Sequence, residues 1–244
     1  MEFHIQCNAQ DIARYVILTD DQTRACKTAS QFYDSQLVSS TRGYMVYTGT
    51  LDGIRMTVAS TGMGGPQLAI GIEELAHMGA DTFVYIGTCK ALRDHVRVGD
   101  IVVPTGAFRG GATAHLYLPR DFPAAPHWHV VDTLVETARQ LGIHVHLGPC
   151  MSVDALYADP DSHTVGKLQT AGVLAIEMEA DTLFVVSSLR GWRAGALFAC
   201  VGASAEIRTE QGREALGTGE AQEMRIAVEA LKTVADSDMQ AADT

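Results

Sequence analysis

The chain has 244 residues, with 18 Lys+Arg against 29 Asp+Glu and a formal net charge of −11. That length suffices for one large α/β domain with a sizeable core, and 47% hydrophobic against 19% charged residues excludes a disordered chain. The acidic balance excludes the basic faces that nucleic acids and anionic membranes select, so neither is an expected partner. No apolar run approaches the roughly 18–20 residues needed to span a bilayer. Met1-Glu2-Phe3-His4-Ile5-Gln6 lacks the pattern of a secretory signal, so cytoplasm is the expected compartment.

In chain order, Tyr15-Val16-Ile17-Leu18 predicts a short buried strand, ended by a polar loop at 19–24. Residues 54–59 alternate as a second strand and enter Ser60-Thr61-Gly62-Met63-Gly64-Gly65-Pro66. Leu68, Ile72, Leu75 and Ala76 then repeat at helical spacing, with Pro66 in the first turn and Gly79 at the C-terminal cap. Residues 82–86 predict a strand running into a turn at Gly87-Thr88-Cys89-Lys90, and 100–103 another strand. A helix over 130–141 buries Val131, Leu134, Val135 and Ala138 and stops at Gly142. A strand over 172–176 leads through Glu177-Met178-Glu179 into a helix ending near Arg190-Gly191. A strand over 194–201 and an amphipathic helix over 220–235 complete the domain at 1–235. Residues 236–244 are expected to be a frayed polar tail.

This alternation predicts a single three-layer α/β domain, with a central mixed or parallel sheet flanked by helices. Ligands of such sheets bind at the carboxyl ends of strands, which selects the loops 19–24, 60–66 and 87–90. Cys7, Cys26, Cys89, Cys150 and Cys200 are scattered, with no CxxC pair, and build neither a disulfide framework nor a zinc site. The pairs His127/His129 and His144/His146 lack a third ligand nearby, so no metal is expected.

The Gly-rich segment at 60–66 permits close backbone approach to a ligand, and by itself fits a plain tight turn as well as an anion site. Its neighbours are more informative. They are Glu73-Glu74-Leu75, Ile86-Gly87-Thr88, Val98-Gly99-Asp100-Ile101-Val102-Val103 and Ile176-Glu177-Met178-Glu179, with His4 and Arg42 ahead of them. In this order, from about residue 3 to 234, the set resembles the nucleoside phosphorylase superfamily, in its uridine phosphorylase branch. The resemblance implies a cofactor-free pentosyltransferase with phosphate as co-substrate, cleaving or forming the N-glycosidic bond of a nucleoside. It also implies homodimer units, usually three in a hexamer, with sites shared across an interface.

By the same resemblance Arg24, Arg42 and Thr88 are expected to bind phosphate, with Arg42 donated across the dimer. Glu179 would hold the ribose hydroxyls, Met178 would pack on the sugar, and His4 from a neighbouring subunit would reach the 5′ hydroxyl. Cys89, Lys90, Leu156, Tyr157 and Glu177 would surround the base. Departures from the family pattern stand beside these matches. Asp20 replaces a glycine whose N–H faces phosphate, and Tyr85 replaces a phosphate-binding arginine. Pro160 and Ser162 stand where a Gln and an Arg read a pyrimidine edge. Ala205 stands where purine-specific members place an acid, which Glu206 could replace. Lys90 would project near the base, where it could meet an acidic substituent on an unusual substrate or pair with Asp20, Asp159 or Asp161. Arg24, Asp20 and Glu206 are the candidate catalytic residues. Three functions stay open: phosphorolysis, hydrolysis by water activated at Asp20, and a homologue recruited to bind or convert an unusual nucleoside-like ligand.

Overall fold

The run Tyr15-Val16-Ile17-Leu18 forms strand β1 (Tyr15–Thr19), buried along its whole length in the computed structural model of the chain. The structure describes residues 1–158, 162–202 and 206–242; the expectations placed on Asp159, Pro160, Asp161 and Ala205 lie outside the described residues. Successive side chains of β1 point to opposite faces: Val16 and Leu18 enter one apolar core, Tyr15 and Ile17 the other. Two cores leave no face for water, which is why the strand shows no polar alternation.

After α1 (Gln22–Ala29) come β2 (Tyr33–Thr41), β3 (Tyr44–Leu51), β4 (Ile54–Ser60), α2 (Gly65–His77), β5 (Thr82–Ala91) and β6 (Ile101–Arg109). They are followed by α3 (Thr113–Tyr117), α4 (Trp128–Gln140), β7 (Val145–Ser152), α5 (Ser162–Thr170), β8 (Ala175–Glu177), α6 (Ala180–Arg190), β9 (Arg193–Cys200) and α7 (Glu210–Ala242). Leu68, Ile72 and Leu75 of α2 pack with Leu183 and Phe184 of α6 on one face of the sheet. Ala25 of α1, Leu134 of α4 and Ile226 and Leu231 of α7 cover the other. The expected single α/β domain, with a mixed sheet between helical layers, is the architecture found.

The sheet also closes on itself. Strand β5 pairs in parallel with β1 on one side and with β9 on the other. At its far end Lys90 and Ala91 pair antiparallel with Ile176 and Ala175 of β8. Strands β6 and β7 complete the circuit, since β9 pairs with β6, β6 with β7 and β7 with β8. The turn expected at 87–90 is therefore a continuation of β5. Gly87 makes this continuation possible: a Cβ there would lie 2.9 Å from the Tyr85 ring.

Three further elements differ from the sequence reading. The polar loop at 19–24 is mostly the first turn of α1, capped by the Asp21 carboxylate, which accepts from the Arg24 N–H at 2.7 Å. The hairpin of β2 and β3 was not anticipated; it places Arg42 at its tip, with φ 50°. Helix α7 starts ten residues before the expected 220 and runs through Ala242. Residues 236–242 continue this helix, and Asp238 accepts from both Arg193 and Tyr15, the latter at 2.9 Å.

Candidate active site

Strands β1 and β5 and the loop before α6 deliver Asp20, Thr88, Cys89, Lys90, Glu177, Met178 and Glu179 to one cavity of about 320 Å³. Leu156, Tyr157 and Met63 of the Gly-rich segment also line it. The cavity lies at the carboxyl ends of β1 and β4, where an open α/β sheet holds its ligands.

Glu179 stands at the N-cap position of α6 and lines the cavity. Its Oε1 accepts from the Gly64 N–H at 2.6 Å, so the Gly-rich segment and the end of β8 meet at this carboxylate. Gly64 has φ 94°, a conformation that side chains rarely adopt. Burial, with the Glu177 carboxylate nearby, pushes Glu179 up to about 8. Glu177 is buried too, and its acidity is likewise weakened by desolvation. Its Oε2 accepts from the Glu179 and Ala180 N–H groups, both at 2.7 Å, and Oε1 accepts from the Ser152 hydroxyl. With both oxygens so engaged, Glu177 fixes the geometry of the Met178-Glu179 segment while still lining the cavity.

Arg24 lies beneath Asp20, 7% exposed. Its Nη1 donates to Asp20 Oδ1 at 2.6 Å and to Thr19 Oγ1 at 3.1 Å, and its Nη2 donates to Glu220 Oε1 at 3.0 Å. Nε faces Glu223 Oε1 at 3.1 Å. One guanidinium thus meets three carboxylates. Glu223 is fully buried, and burial pushes it well above the usual carboxylate range despite the attraction of Arg24. Tyr85 is fully buried beside the site, and its hydroxyl has no hydrogen-bond partner among the described residues. Burial, with Glu179 and Asp20 adding to it, holds Tyr85 as a neutral phenol. Cys89 pairs in register with Cys200, and the hydrogen bond between them together with burial keeps Cys89 a thiol.

The phosphorylase superfamily model matches residues 14–241. The chain belongs to the phosphorylase superfamily. Among relatives of this superfamily member, the uridine phosphorylase of Treponema pallidum (strain Nichols) is 37% identical, covering 97% of this chain and 95% of its own length. The guanosine phosphorylase of Halorubrum lacusprofundi is 38% identical over 80% of each chain. A crystal structure of uridine phosphorylase from Vibrio fischeri ES114 superposes with a TM-score of 0.89 at 25% identity, covering 94% of this chain and 96% of that one. The resemblance read from the motifs, including its uridine phosphorylase-like character, is borne out.

Of the residues selected from the sequence of this superfamily member, His4, Arg42, Arg24 and Glu206 do not line the cavity. His4 is held on α2, where Glu74 Oε1 meets its Nδ1 at 2.6 Å and the Glu74 carboxylate accepts its N–H. Arg42 is exposed, with its guanidinium 4.8 Å from the centre of the Phe3 ring. Phe3, His4 and Arg42 thus form a surface group separate from the cavity. Glu206 lies in the turn before α7, with its carboxylate against Gly202. Among the described residues no three His, Cys, Asp or Glu side chains form a metal-binding group, and no helix is long and apolar enough to cross a membrane.

Glu220 and Glu223 escaped the sequence reading. A signal for Glu223 exists, since it precedes Ala227 and Ala230 in the buried stripe of α7, where a carboxylate needs a buried partner. Glu74 carries a similar signal between Ile72 and Leu75 of α2.

Proposed function

We propose that this chain is a nucleoside phosphorylase that transfers a ribosyl group between a base and phosphate. The observation that carries the reading is the Glu179 carboxylate, fixed by the Gly64 N–H inside a cavity that also presents Thr88 and adjoins Arg24. Bound nucleoside would place its 2′ and 3′ hydroxyls on Glu179 and its sugar against Met178. Phosphate would bind between Arg24 and Thr88. A phosphate oxygen forms the bond to the anomeric carbon as the C–N bond breaks, and the electron pair leaves with the base, which then takes a proton. Charge develops on sugar and base together, so fixed carboxylates and cations supply the catalysis rather than a covalent intermediate.

Phosphate must displace Asp20 from Arg24. We infer that Asp20 acts in this way as a competitor for the cation; its Oδ1 is already committed to Arg24, which disfavours its use as a base on water. The group of Phe3, His4 and Arg42 supports a homodimer unit, assembled as a hexamer, in which each subunit completes its neighbour's site with His4 and Arg42. A cytoplasmic enzyme without metal or organic cofactor fits this reading.

The test is chromatographic detection of base release from a panel of purine and pyrimidine nucleosides, with and without inorganic phosphate. Release that requires phosphate is the expected result. Release of equal rate without phosphate would replace this reading with hydrolysis at Asp20, and no release from any nucleoside would leave a recruited homologue.

A further inference from the structure

Thr88 and Lys90 are two residues apart on β5 and share one face of the strand. At roughly 3.3 Å per residue they stand about 7 Å apart. Both line the cavity, and of the two only Lys90 also lines its neighbour. Beyond Lys90 the cavity continues. A second cavity of about 460 Å³ shares Lys90, Leu156, Tyr157 and Ile176 with the first and extends toward Gly110 and Asp154.

Charge is distributed unevenly along this double chamber. Lys90 is the sole cation among the described residues lining either part. The carboxylates are all engaged elsewhere: Asp20 by Arg24, Glu177 by Ser152 and two backbone N–H groups, and Glu179 by Gly64. Asp154 accepts from the Ala112 N–H at 2.7 Å. Lys90 is exposed, and its ammonium has no hydrogen-bond or ion-pair partner among the described residues. The other side chains shared by the two chambers are Leu156, Tyr157 and Ile176, which offer a face to stack on and little polarity for reading a neutral base edge. A ligand that fits must be long enough to pass Lys90 and negative where it does so.

We propose that the substrate is a nucleoside whose base carries a carboxylate-bearing arm, with the arm in the second cavity and its charge on Lys90. This rests on the nucleoside phosphorylase reading and narrows its substrate class. With phosphate between Arg24 and Thr88, Lys90 is the remaining cation among the described lining residues for a second anion, and this separation of two anion-binding positions orients the ligand.

Two probe pairs test the proposal by titration calorimetry on the full chain: 5-carboxymethyluridine and N2-carboxymethylguanosine, each against its own methyl ester. In at least one pair the acid should bind about tenfold more tightly than the ester. Lys90→Gln should remove that preference, and Lys90→Glu should reverse it. Equal binding of acid and ester in both pairs, a preference that survives Lys90→Gln, or no binding of any probe would each overturn the proposal. Base release from the same probes with phosphate is scored separately. A Lys90-dependent preference without base release would sustain the charge subsite and remove the phosphorylase reading. Base release that ignores the acid would do the reverse.

Discussion

Replacing Asp20 by glycine isolates the competition between a resident carboxylate and phosphate for Arg24. The contact to be removed is the 2.6 Å hydrogen bond from Nη1, in a pair whose side chains are 7% and 21% exposed. A charge-assisted bond of this kind is worth about 1.5–3 kcal/mol when shielded. The partial exposure of Asp20 lowers that to about 1–2 kcal/mol. Arg24 should keep its place in the variant, because Thr19, Glu220 and Glu223 still hold the guanidinium. Phosphate would then bind without first displacing an anion. At 1.4 kcal/mol per factor of ten, the dissociation constant should fall by about 5- to 30-fold. Titration calorimetry with inorganic phosphate at fixed ionic strength measures this directly, with Asp20→Asn as a shape-conserving control. A constant within twofold of the wild type, or weaker binding, would refute the idea that Asp20 and phosphate share Arg24.

Glu179 makes a pH-dependent prediction. Its folded value of about 8 lies above its ordinary 4.5, so the folded protein retains a proton that the unfolded chain has released between those limits. Wild-type stability should therefore decline as pH rises through this window, by up to about 1.4 kcal/mol per pH unit. Glu179→Gln keeps an acceptor for Gly64 and removes the titration. Its melting temperature relative to wild type should climb from pH 5 to pH 8.5 while nucleoside binding is lost, and a constant difference would contradict the assignment. Glu74 behaves in the opposite sense. Burial works against its charge, but the Ile5 and His4 N–H groups and the His4 side chain hold it below the usual range. Its stabilisation should vanish as pH falls through its folded value, and Glu74→Gln should increase proteolytic cleavage within residues 3–6 at neutral pH; an unchanged cleavage rate would show that the anchor lies elsewhere. Gly87→Ala would bring a Cβ to 2.9 Å from the Tyr85 ring, and a loss of about 1–3 kcal/mol in denaturant unfolding is expected. Wild-type stability in this variant would mean that the ring has room to move.

The two cores were legible because they rest on local patterns. Apolar spacing in α2, α4 and α6, ended by Gly79, Gly142 and Gly191 with positive φ, is visible in short windows of sequence. The β2–β3 hairpin was not visible. Strand β2 reads Tyr-Asp-Ser-Gln-Leu-Val-Ser-Ser-Thr and buries little, so it carries no apolar signal. At 87–90, Gly-Thr resembles a break, and only contact with the Tyr85 ring explains why a glycine stands within a continuing strand. Motif order led to most of the residues lining the cavity. The carboxylates around Arg24 were beyond that reasoning, since Glu220 is 196 positions away in the chain. Neither composition nor spacing states that two surfaces so distant in sequence will share one guanidinium. The roles assigned to Asp20, Glu177 and Lys90 depend on which of their atoms are already engaged, a property of the folded molecule.

Closure of the sheet has a consequence for self-association. Strands β5 to β9 form a ring without a free border, and β1, β3 and β4 have neighbours on both sides, which leaves β2 as the open margin among the described strands. An unguarded margin invites another chain to add to it. Here the ladder is interrupted twice, between Tyr33 and Gln36 and between Leu37 and Ser39, and Asp34 adopts φ 50°. Such irregularities twist the backbone away from a straight template. Growth of a continuous sheet along this border is therefore opposed by the backbone of β2 itself, whatever side-chain contacts it makes.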